Sequence, residues 1–566
     1  MQSQKVIVYQ LFPRLFGNKT TQMKVDGSRS ENGSGKFIDI NNSGLRELKK
    51  MGITHLWYTG VIEHAVVEGY PENSIPSGNP LVIKGKAGSP YAIKDYYDVD
   101  PDLAEDVATR MDEFEALIDR THKTGLKVII DFVPNHLARE YASDAKPEEL
   151  NDFGVDDDTS KLFDVKNNFY YLPGKSLQLS DEIKSRFPGV TYEEKVARAT
   201  GNDQFTSSPG INDWYETVKL NYGIDYSAGG KKYFEPIPDT WLKMKHVLHY
   251  WAGKGVDGFR CDMVEMVPVE FWNWVIPQIK HAFPWLIFIG EVYNPKLYSA
   301  YIRQGKFDYL YDKVGLYDTL VGVIRGHRSA KDISECWQQL DGLDRNMLRF
   351  LENHDEQRLA SRFIAGDPQR AIPGMAVSAF MHQGPLMIYN GQEVGEIGEG
   401  PTGYSGDDGR TTIFDYWHMP EHQKWMNNGL FDGALLSANQ RLLRQEYINI
   451  NMLCAESAIT EGLFYDVMWH NSDNDAFNSD KLYAFLRYSK QQKLLIVANF
   501  DTAEQKASVQ FPAHALETLG IPRPVKIDFK DLNSARNVTA GSEEIISTGV
   551  ELIIPGLDYL VLEMEY

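Results

Sequence analysis

Acidic side chains close four short apolar runs of this chain. Asp131 ends the run Lys127–Val133, and Asn135-His136 follow it. Arg260 and Asp262 fall near the end of Gly258–Met263, and Glu291 near the end of Ile287–Val292. Asn353, His354 and Asp355 come directly after Leu348–Glu352. An extended chain puts alternate residues on one face, so Arg260 and Asp262 project together. An arginine beside a carboxylate lowers its pKa and keeps it ionised, which suits a nucleophile. Glu291 follows Leu-Ile-Phe-Ile-Gly, where partial desolvation would raise its pKa and favour the protonated form. Two carboxyl groups in unlike surroundings are what glycosidic bond cleavage requires. One attacks the anomeric carbon and the other protonates the leaving oxygen. Asp355, His136 and His354 are candidates to hydrogen-bond sugar hydroxyls as positive charge develops on the ring. Any one of these groups alone reads equally well as a strand-end ion pair or cap. Four strands at once, in barrel order, argue for a site.

Eight β-rich segments could position these groups: Val6–Phe12, His55–Thr59, Lys127–Val133, Gly258–Met263, Ile287–Val292, Phe307–Tyr311, Leu348–Glu352 and Pro385–Tyr389. Several are continuous apolar runs, as strands buried on both faces should be. Helical patterns lie between them, at Ala104–Lys123, with Gly125 as its stop, and at Thr240–Ala252. The alternation predicts an α/β fold, a closed (β/α)8 TIM barrel with chemistry at the C-terminal ends of its strands. A doubly wound sheet is disfavoured because no Gly-rich phosphate loop follows the first strand. The stretch between His136 and Trp241, about a hundred residues rich in Asp, Asn, Gly and Tyr, is too long for a loop and predicts an inserted subdomain. After roughly residue 445 the pattern turns to alternating strands, such as Leu482–Tyr488, Lys493–Asn499 and Tyr559–Glu563, and predicts a C-terminal antiparallel β-sandwich. The expected domains are therefore 1–136 with 241–445 for the barrel, 137–240 for the insertion, and 446–566 for the sandwich.

Composition narrows the partners. A net charge of −21 over 566 residues repels nucleic acid and is compatible with a neutral ligand. Aromatic residues make up 12% of the chain; most must be packing, but such rings also serve as platforms for sugars. Cys261, Cys336 and Cys454 are widely spaced, form no metal pair or disulfide framework, and read as buried thiols. The N-terminal MQSQKVIVYQLF lacks a signal pattern, and no stretch has the length of a membrane span. The expectation is a soluble protein, either cytoplasmic or exported with its leader already removed. Nothing in the composition speaks to oligomeric state.

Taken together, DFVPNH, GFRCD, GE and ENHD resemble the four conserved regions of the α-amylase superfamily, glycoside hydrolase family thirteen. Further stretches are similar: YQLFPRLF at Tyr9–Phe16 to its first strand, SPYAIKDYYDVDP at Ser89–Pro101 to its GYxxxDYxxxDP motif, and IYNGQEVGE at Ile388–Glu396 to its eighth strand. The resemblance spans nearly the whole chain and implies a retaining enzyme. It implies Asp262 as nucleophile, Glu291 as general acid and then base, and Asp355 as stabiliser of the transition state. It also implies that Arg260 orients Asp262, that His136 and His354 bind the sugar, that Tyr91 stacks beneath it, and that Asp95 belongs to the same binding motif.

The family often holds calcium through the asparagine that is Asn135 here, with acids of the insertion; Asp156, Asp157 and Asp158 offer hard oxygen ligands. A second family calcium loop corresponds to Asn32-Gly-Ser-Gly-Lys-Phe, which lacks the acids. No organic cofactor is implied. Where many amylases carry Lys-His after the nucleophile, this chain has Glu265-Met266. Val218-Lys219-Leu220-Asn221 resembles the fifth region of neopullulanases and cyclomaltodextrinases. The leading expectation is cleavage of mainly α-1,4 bonds in starch-derived glucans or maltooligosaccharides. A transglycosidase or maltose isomerase would use the same triad. A binding protein on an amylase-like barrel is the third reading, though such relatives usually lose a carboxylate, and this chain keeps all three.

Overall fold

The computed structural model describes residues 4–398, 400 and 406–566; Met1–Ser3, the start of the segment searched for a leader, lie outside them. Eight strands form one parallel sheet in chain order: β1 (Ile7–Leu11), β2 (His55–Tyr58), β3 (Lys127–Phe132), β4 (Gly258–Cys261), β5 (Ile287–Gly290), β6 (Tyr309–Tyr311), β7 (Met347–Leu348) and β8 (Leu386–Tyr389). β8 pairs back onto β1, with Leu386 opposite Ile7, and a parallel bridge from Arg349 to Leu386 joins β7 to β8. The ring is thereby closed, as the predicted (β/α)8 barrel requires. β1, β2, β4 and β8 are buried at every position, as strands covered on both faces should be.

Helices cover the outside, among them α1 (Asn42–Lys50), α2 (Arg110–Lys123), α3 (Asp239–Gly253), α4 (Val269–Ala282), α5 (Tyr298–Arg303), α6 (Asp318–Ile324), α7 (Ile333–Gln339), α8 (Ile372–Phe380), α9 (Pro420–Met426) and α10 (Ala438–Leu453). α2 begins at Arg110 rather than at Ala104. Pro101 and the Asp106 side chain, which accepts the Ala108 N–H, hold the preceding residues in two short 3-10 turns instead. Gly125 ends it as expected, with a φ of 77° that a residue bearing a Cβ resists.

The strands stop earlier than their apolar runs. β4 ends at Cys261 and β5 at Gly290, so Asp262 and Glu291 are the first residues past the ladder, each still tied by its N–H to the neighbouring strand, at Phe132 O and Cys261 O. β7 is only Met347–Leu348. Glu352 lies beyond it, buried and accepting from Arg358 at 2.8 Å and from the Leu359 N–H at 2.7 Å, so the chain leaves the sheet to satisfy that carboxylate.

The long stretch after β3 has short antiparallel pairs, His136–Ala138 with Thr217–Lys219 and Tyr171–Leu172 with Ala197–Arg198. A small core of its own joins Leu172, Leu177, Ile183 and Tyr215, and it recruits Leu81 and Val82 from the segment after β2. In the C-terminal part, β9 (Leu463–Asp466), β10 (Leu482–Tyr488), β11 (Lys493–Asn499), β13 (Lys526–Asp531), β14 (Asn537–Gly541) and β16 (Asp558–Glu565) make a six-stranded antiparallel sheet. β12 (Gln505–Val509) pairs with β15 (Val550–Ile554) beside it. α10 runs through the expected 445/446 boundary without a break, because its buried Leu443, Tyr447, Ile450 and Leu453 form one continuous stripe. Cys261, Cys336 and Cys454 are buried and free. Among the described residues no helix is long and apolar enough to cross a membrane.

Candidate active site

The C-terminal ends of the strands open into a cleft with a cavity volume of about 240 Å³. Asp262, Glu291 and Asp355 line it together with Tyr91 and His136, so three acids from β4, β5 and the end of β7 share one space.

Arg260 organises them. Its guanidinium is fully buried, with Nη1 donating to Asp262 Oδ1 at 2.8 Å and Nη2 lying 2.9 Å from Glu291 Oε2. Nε donates to the Tyr311 hydroxyl at 3.1 Å, and the rings of Trp57, Tyr91 and Tyr311 surround the cation at 5.2–5.5 Å. Asp131 stands behind it, 3.6 Å from Nη1, fixed by the Trp57 indole N–H at 3.0 Å and the Gly60 N–H at 3.2 Å. One guanidinium therefore faces three buried carboxylates.

That ratio corrects an expectation. The arginine does pull the Asp262 pKa down, but burial and the neighbouring Glu291 outweigh it and push Asp262 well above the usual carboxylate range. Asp131 is likewise pushed up by burial, to about 6. Asp262 and Glu291 share one cation, so the charge of Glu291 raises the cost of ionising Asp262. Glu291 is also not a bare carboxyl against apolar wall. Besides Arg260 it accepts the Met263 N–H at 2.9 Å and the Tyr293 hydroxyl at 2.7 Å. Met263 adopts a left-handed φ of 43°, a strained turn that aims its amide at Glu291.

Asp355 faces the cleft and lies 3.1 Å from His354 Nε2; desolvation by the surrounding cleft walls raises its pKa, against the pull of Arg260 and Arg410. His354 is fully buried between the Gln10 amide, 2.7 Å from Nδ1, and the Tyr91 hydroxyl, 2.5 Å from Nε2. Burial, helped by Arg260, drops its pKa to about 3, so the ring is neutral. Tyr91 stacks on that imidazole with ring centres 5.2 Å apart. His136 is neutral for the same reason, its pKa lowered to about 3 by burial and by Lys219 and Lys84, and its ring packs against Trp214 at 5.2 Å.

Asp95 departs from the expected set. Its side chain does not line the cleft. It accepts the Ser143 hydroxyl at 2.6 Å and the N–H groups of Tyr97, Asp144 and Ala145, and so pins the start of the insertion. The motif that carries Tyr91 into the cleft turns Asp95 away from it.

Calcium at Asn135 is not supported by the donor set. Asn135 Oδ1, the oxygen a cation would use, accepts the Lys219 ammonium at 2.8 Å, and Lys219 pairs with Asp203 at 2.5 Å. A positive charge is already built in. Asp157 is occupied by the N–H groups of Asn168 and Phe169 and by the Tyr171 hydroxyl, Asp158 by Ser160 and Lys161, and Asp156 by Asn151. In the second loop Asn32 binds Lys24 and Tyr416 backbone. Among the described residues, the acids grouped closely enough for a metal are Glu63, Asp98 and Asp144; Lys94 and Arg110 already neutralise the first two.

The cleft also contains residues that reading the chain did not single out: Trp214, Tyr293, Phe414 and the buried ion pair Lys84–Glu216 at 3.2 Å. Tyr293 carried a signal, being two residues from Glu291 and hence on its face. Lys84, Trp214 and Glu216 carried none, because their approach depends on how the insertion packs on the segment after β2, which carries Lys84, Leu81 and Val82.

A family model for the alpha amylase catalytic domain matches residues 10–428. Among curated proteins, an alpha-amylase from Dictyoglomus thermophilum is 22% identical over 69% of this chain and 55% of its own length. A cyclomaltodextrinase from Bacillus sp is 23% identical over 88% of this chain and 73% of its own. Among solved structures, a maltogenic alpha-amylase from Thermotoga neapolitana superposes over the whole of both chains with a TM-score of 0.60 at 19% identity, a likeness of fold. The family match covers most of the chain and ends beyond β8, at residue 428, so it takes in every strand that contributes to the cleft: this chain belongs to the alpha-amylase family.

Proposed function

We propose that the chain is a retaining glycoside hydrolase that cleaves α-glucosidic, mainly α-1,4, bonds in starch-derived glucans or maltooligosaccharides. The observation that carries this reading is the single buried guanidinium of Arg260 gripping Asp262 and Glu291 at 2.8 and 2.9 Å in a cleft shared with Asp355. Carboxylates held on two arms of one guanidinium favour the short separation, about 5–5.5 Å, of the retaining mechanism over the wider gap that an inverting water needs.

In this reaction Asp262 attacks the anomeric carbon while Glu291 gives its proton to the glycosidic oxygen, and the bond to the leaving sugar breaks. Glu291 then takes a proton from water, whose oxygen displaces Asp262 and restores both groups. The first step needs the proton on Glu291 and the charge on Asp262, and Arg260, 2.8 Å from Asp262, stabilises that carboxylate. Asp355 hydrogen-bonds the ring hydroxyls as charge develops, and neutral His136 binds from the cleft wall while buried, neutral His354 fixes Tyr91 and Asp355, neither adding a cation that would oppose an oxocarbenium-like ring. Tyr91, held flat by His354, offers the stacking face. Lys219 beside Asn135 makes the insertion independent of calcium.

The test is Asp262→Asn assayed for reducing ends on maltoheptaose and starch. Loss of on the order of 10⁴-fold in kcat is expected for removal of a nucleophile; retained activity would overturn the mechanism. Product analysis on maltose separates hydrolysis, which doubles the sugar count, from transfer or isomerisation.

A further inference from the structure

The two carboxyl oxygens of Glu291 have unlike surroundings. Oε2 accepts the Met263 N–H at 2.9 Å and lies 2.9 Å from Arg260 Nη2. An amide N–H and a guanidinium can only donate, so a proton placed on Oε2 would point at other hydrogens. Oε1 has a different partner, the Tyr293 hydroxyl at 2.7 Å. Among the described residues, this phenol is the one hydrogen-bond partner of the Glu291 side chain that can both give and receive. The acid proton therefore belongs on Oε1.

Tyr293 is well placed to hold it there. It lines the catalytic cleft beside Glu291. Burial, and then the charge of Glu291, push its pKa well above the ordinary tyrosine value, so the phenol keeps its own proton and works as a neutral group. The chain just past it is tied down. The Asn294 N–H donates to Glu265 Oε2 at 3.0 Å, and the Asn294 side chain accepts the Lys296 N–H at 3.1 Å to cap the turn Pro295–Leu297. Glu265 follows Asp262 by three residues, so one carboxylate links the segments that carry nucleophile and acid. A lysine at 265 could not accept that N–H.

We propose that Tyr293 is a positioning residue for the general acid, holding the transferable proton of Glu291 on Oε1 and stabilising the carboxylate left when that proton departs. The proposal deepens the function proposed above and rests on it. In the resting site the phenol oxygen accepts from Oε1–H. As a glycosidic oxygen takes that proton and its bond to the anomeric carbon breaks, the phenol O–H turns to donate to Oε1. The hydrogen bond becomes charge-assisted only as the leaving sugar departs, so it lowers the barrier instead of tightening ground-state binding. Tyr293 itself neither gains nor loses a proton.

The test compares two leaving groups on one glycone. Maltotriose releases a glucose that needs the proton, whereas 4-nitrophenyl α-maltoside releases a phenolate that leaves without one. Tyr293→Phe is expected to lower kcat/KM on maltotriose about tenfold or more, the scale of a hydrogen bond to a charged group. Release of 4-nitrophenolate from the maltoside should stay within about twofold in kcat/KM. In a Glu291→Gln background, where no carboxylate can form, adding Tyr293→Phe should cost nothing further on the maltoside. Equal losses on both substrates, or a further loss in the glutamine background, would reveal a ring that only shapes the cleft and would overturn the proposal. An unchanged kcat/KM on maltotriose would do the same. An unaltered protein that cleaves neither substrate would sink the reading underneath, and this one with it.

Discussion

The ammonium of Lys219 sits 2.8 Å from Asn135 Oδ1, where the family's calcium would draw that oxygen. A lysine there performs the same electrostatic service, tying the insertion to the end of β3, but it is covalently part of the chain. Chelation should therefore leave both Tm and kcat unchanged, which a melting scan and an activity assay with and without EDTA would check. Lys219→Ala should lower stability by roughly 2 kcal/mol, the scale of a charge-assisted hydrogen bond in a buried setting.

Arg260 should tolerate no substitute. Lysine keeps the charge but offers one point where the guanidinium offers a fork. Arg260→Lys is expected to lower kcat by about 10²-fold or more with little change in KM, since an interaction that orders the reacting carboxylates acts in the transition state. A Michaelis–Menten series on maltoheptaose distinguishes this from a binding defect, in which KM would carry the loss.

The pH profile should be bell-shaped and owned by the carboxylate pair. Asp262 must be ionised to attack, so activity falls as pH drops through the lower apparent pKa. Because burial and Glu291 push Asp262 upward, that limb should lie above the ordinary aspartate value of 3.8. Glu291 must be protonated to act as acid, so activity falls again as pH rises through the upper value. His354 and His136, with pKa values lowered to about 3, stay neutral throughout and contribute no inflection near 6.5. A profile of kcat/KM from pH 3 to 9 whose acid limb followed an ordinary histidine would contradict this assignment.

Trp214 packs on His136 and faces the cleft from the insertion. Replacing it with alanine removes a ring platform worth about 1–1.5 kcal/mol, so KM for maltooligosaccharides should rise about tenfold while kcat changes little. Steady-state kinetics on maltotriose and maltoheptaose would show it.

Gly85 joins two walls of the cleft. Its φ is +64°, and a Cβ placed there would meet Phe414 O at 2.1 Å. The Ala87 N–H donates to that same carbonyl, and the buried Arg14 guanidinium donates to Ala87 O and Ile413 O. Gly85→Ala must separate the two segments or strain the backbone, at a cost of about 2 kcal/mol or more. A drop of several degrees in Tm, accompanied by lower activity, is the expected result.

Much of this protein was legible along the chain. Apolar runs such as Val-Ile-Ile in β3 and Ile-Phe-Ile-Gly in β5 point to buried parallel strands, because a strand covered on both faces buries side chains at successive positions. The acids that follow them fix which end carries chemistry, and the alternation of Arg260 and Asp262 already put cation and carboxylate on one side. These are local relations, and sequence spacing encodes them directly.

Tertiary structure decided the rest. Asp262 rises rather than falls in pKa because burial, and then the charges of Glu291 and Asp131 brought in from other strands, outweigh the one arginine they share. Asp95 serves the insertion instead of the cleft, and Asn135 faces Lys219, a residue 84 positions away. Lys84, Trp214 and Glu216 reach the cleft because the insertion packs on the segment after β2. Spacing along the chain determines which face a side chain takes; the charge it then feels depends on partners brought near by the fold, and no local pattern records them.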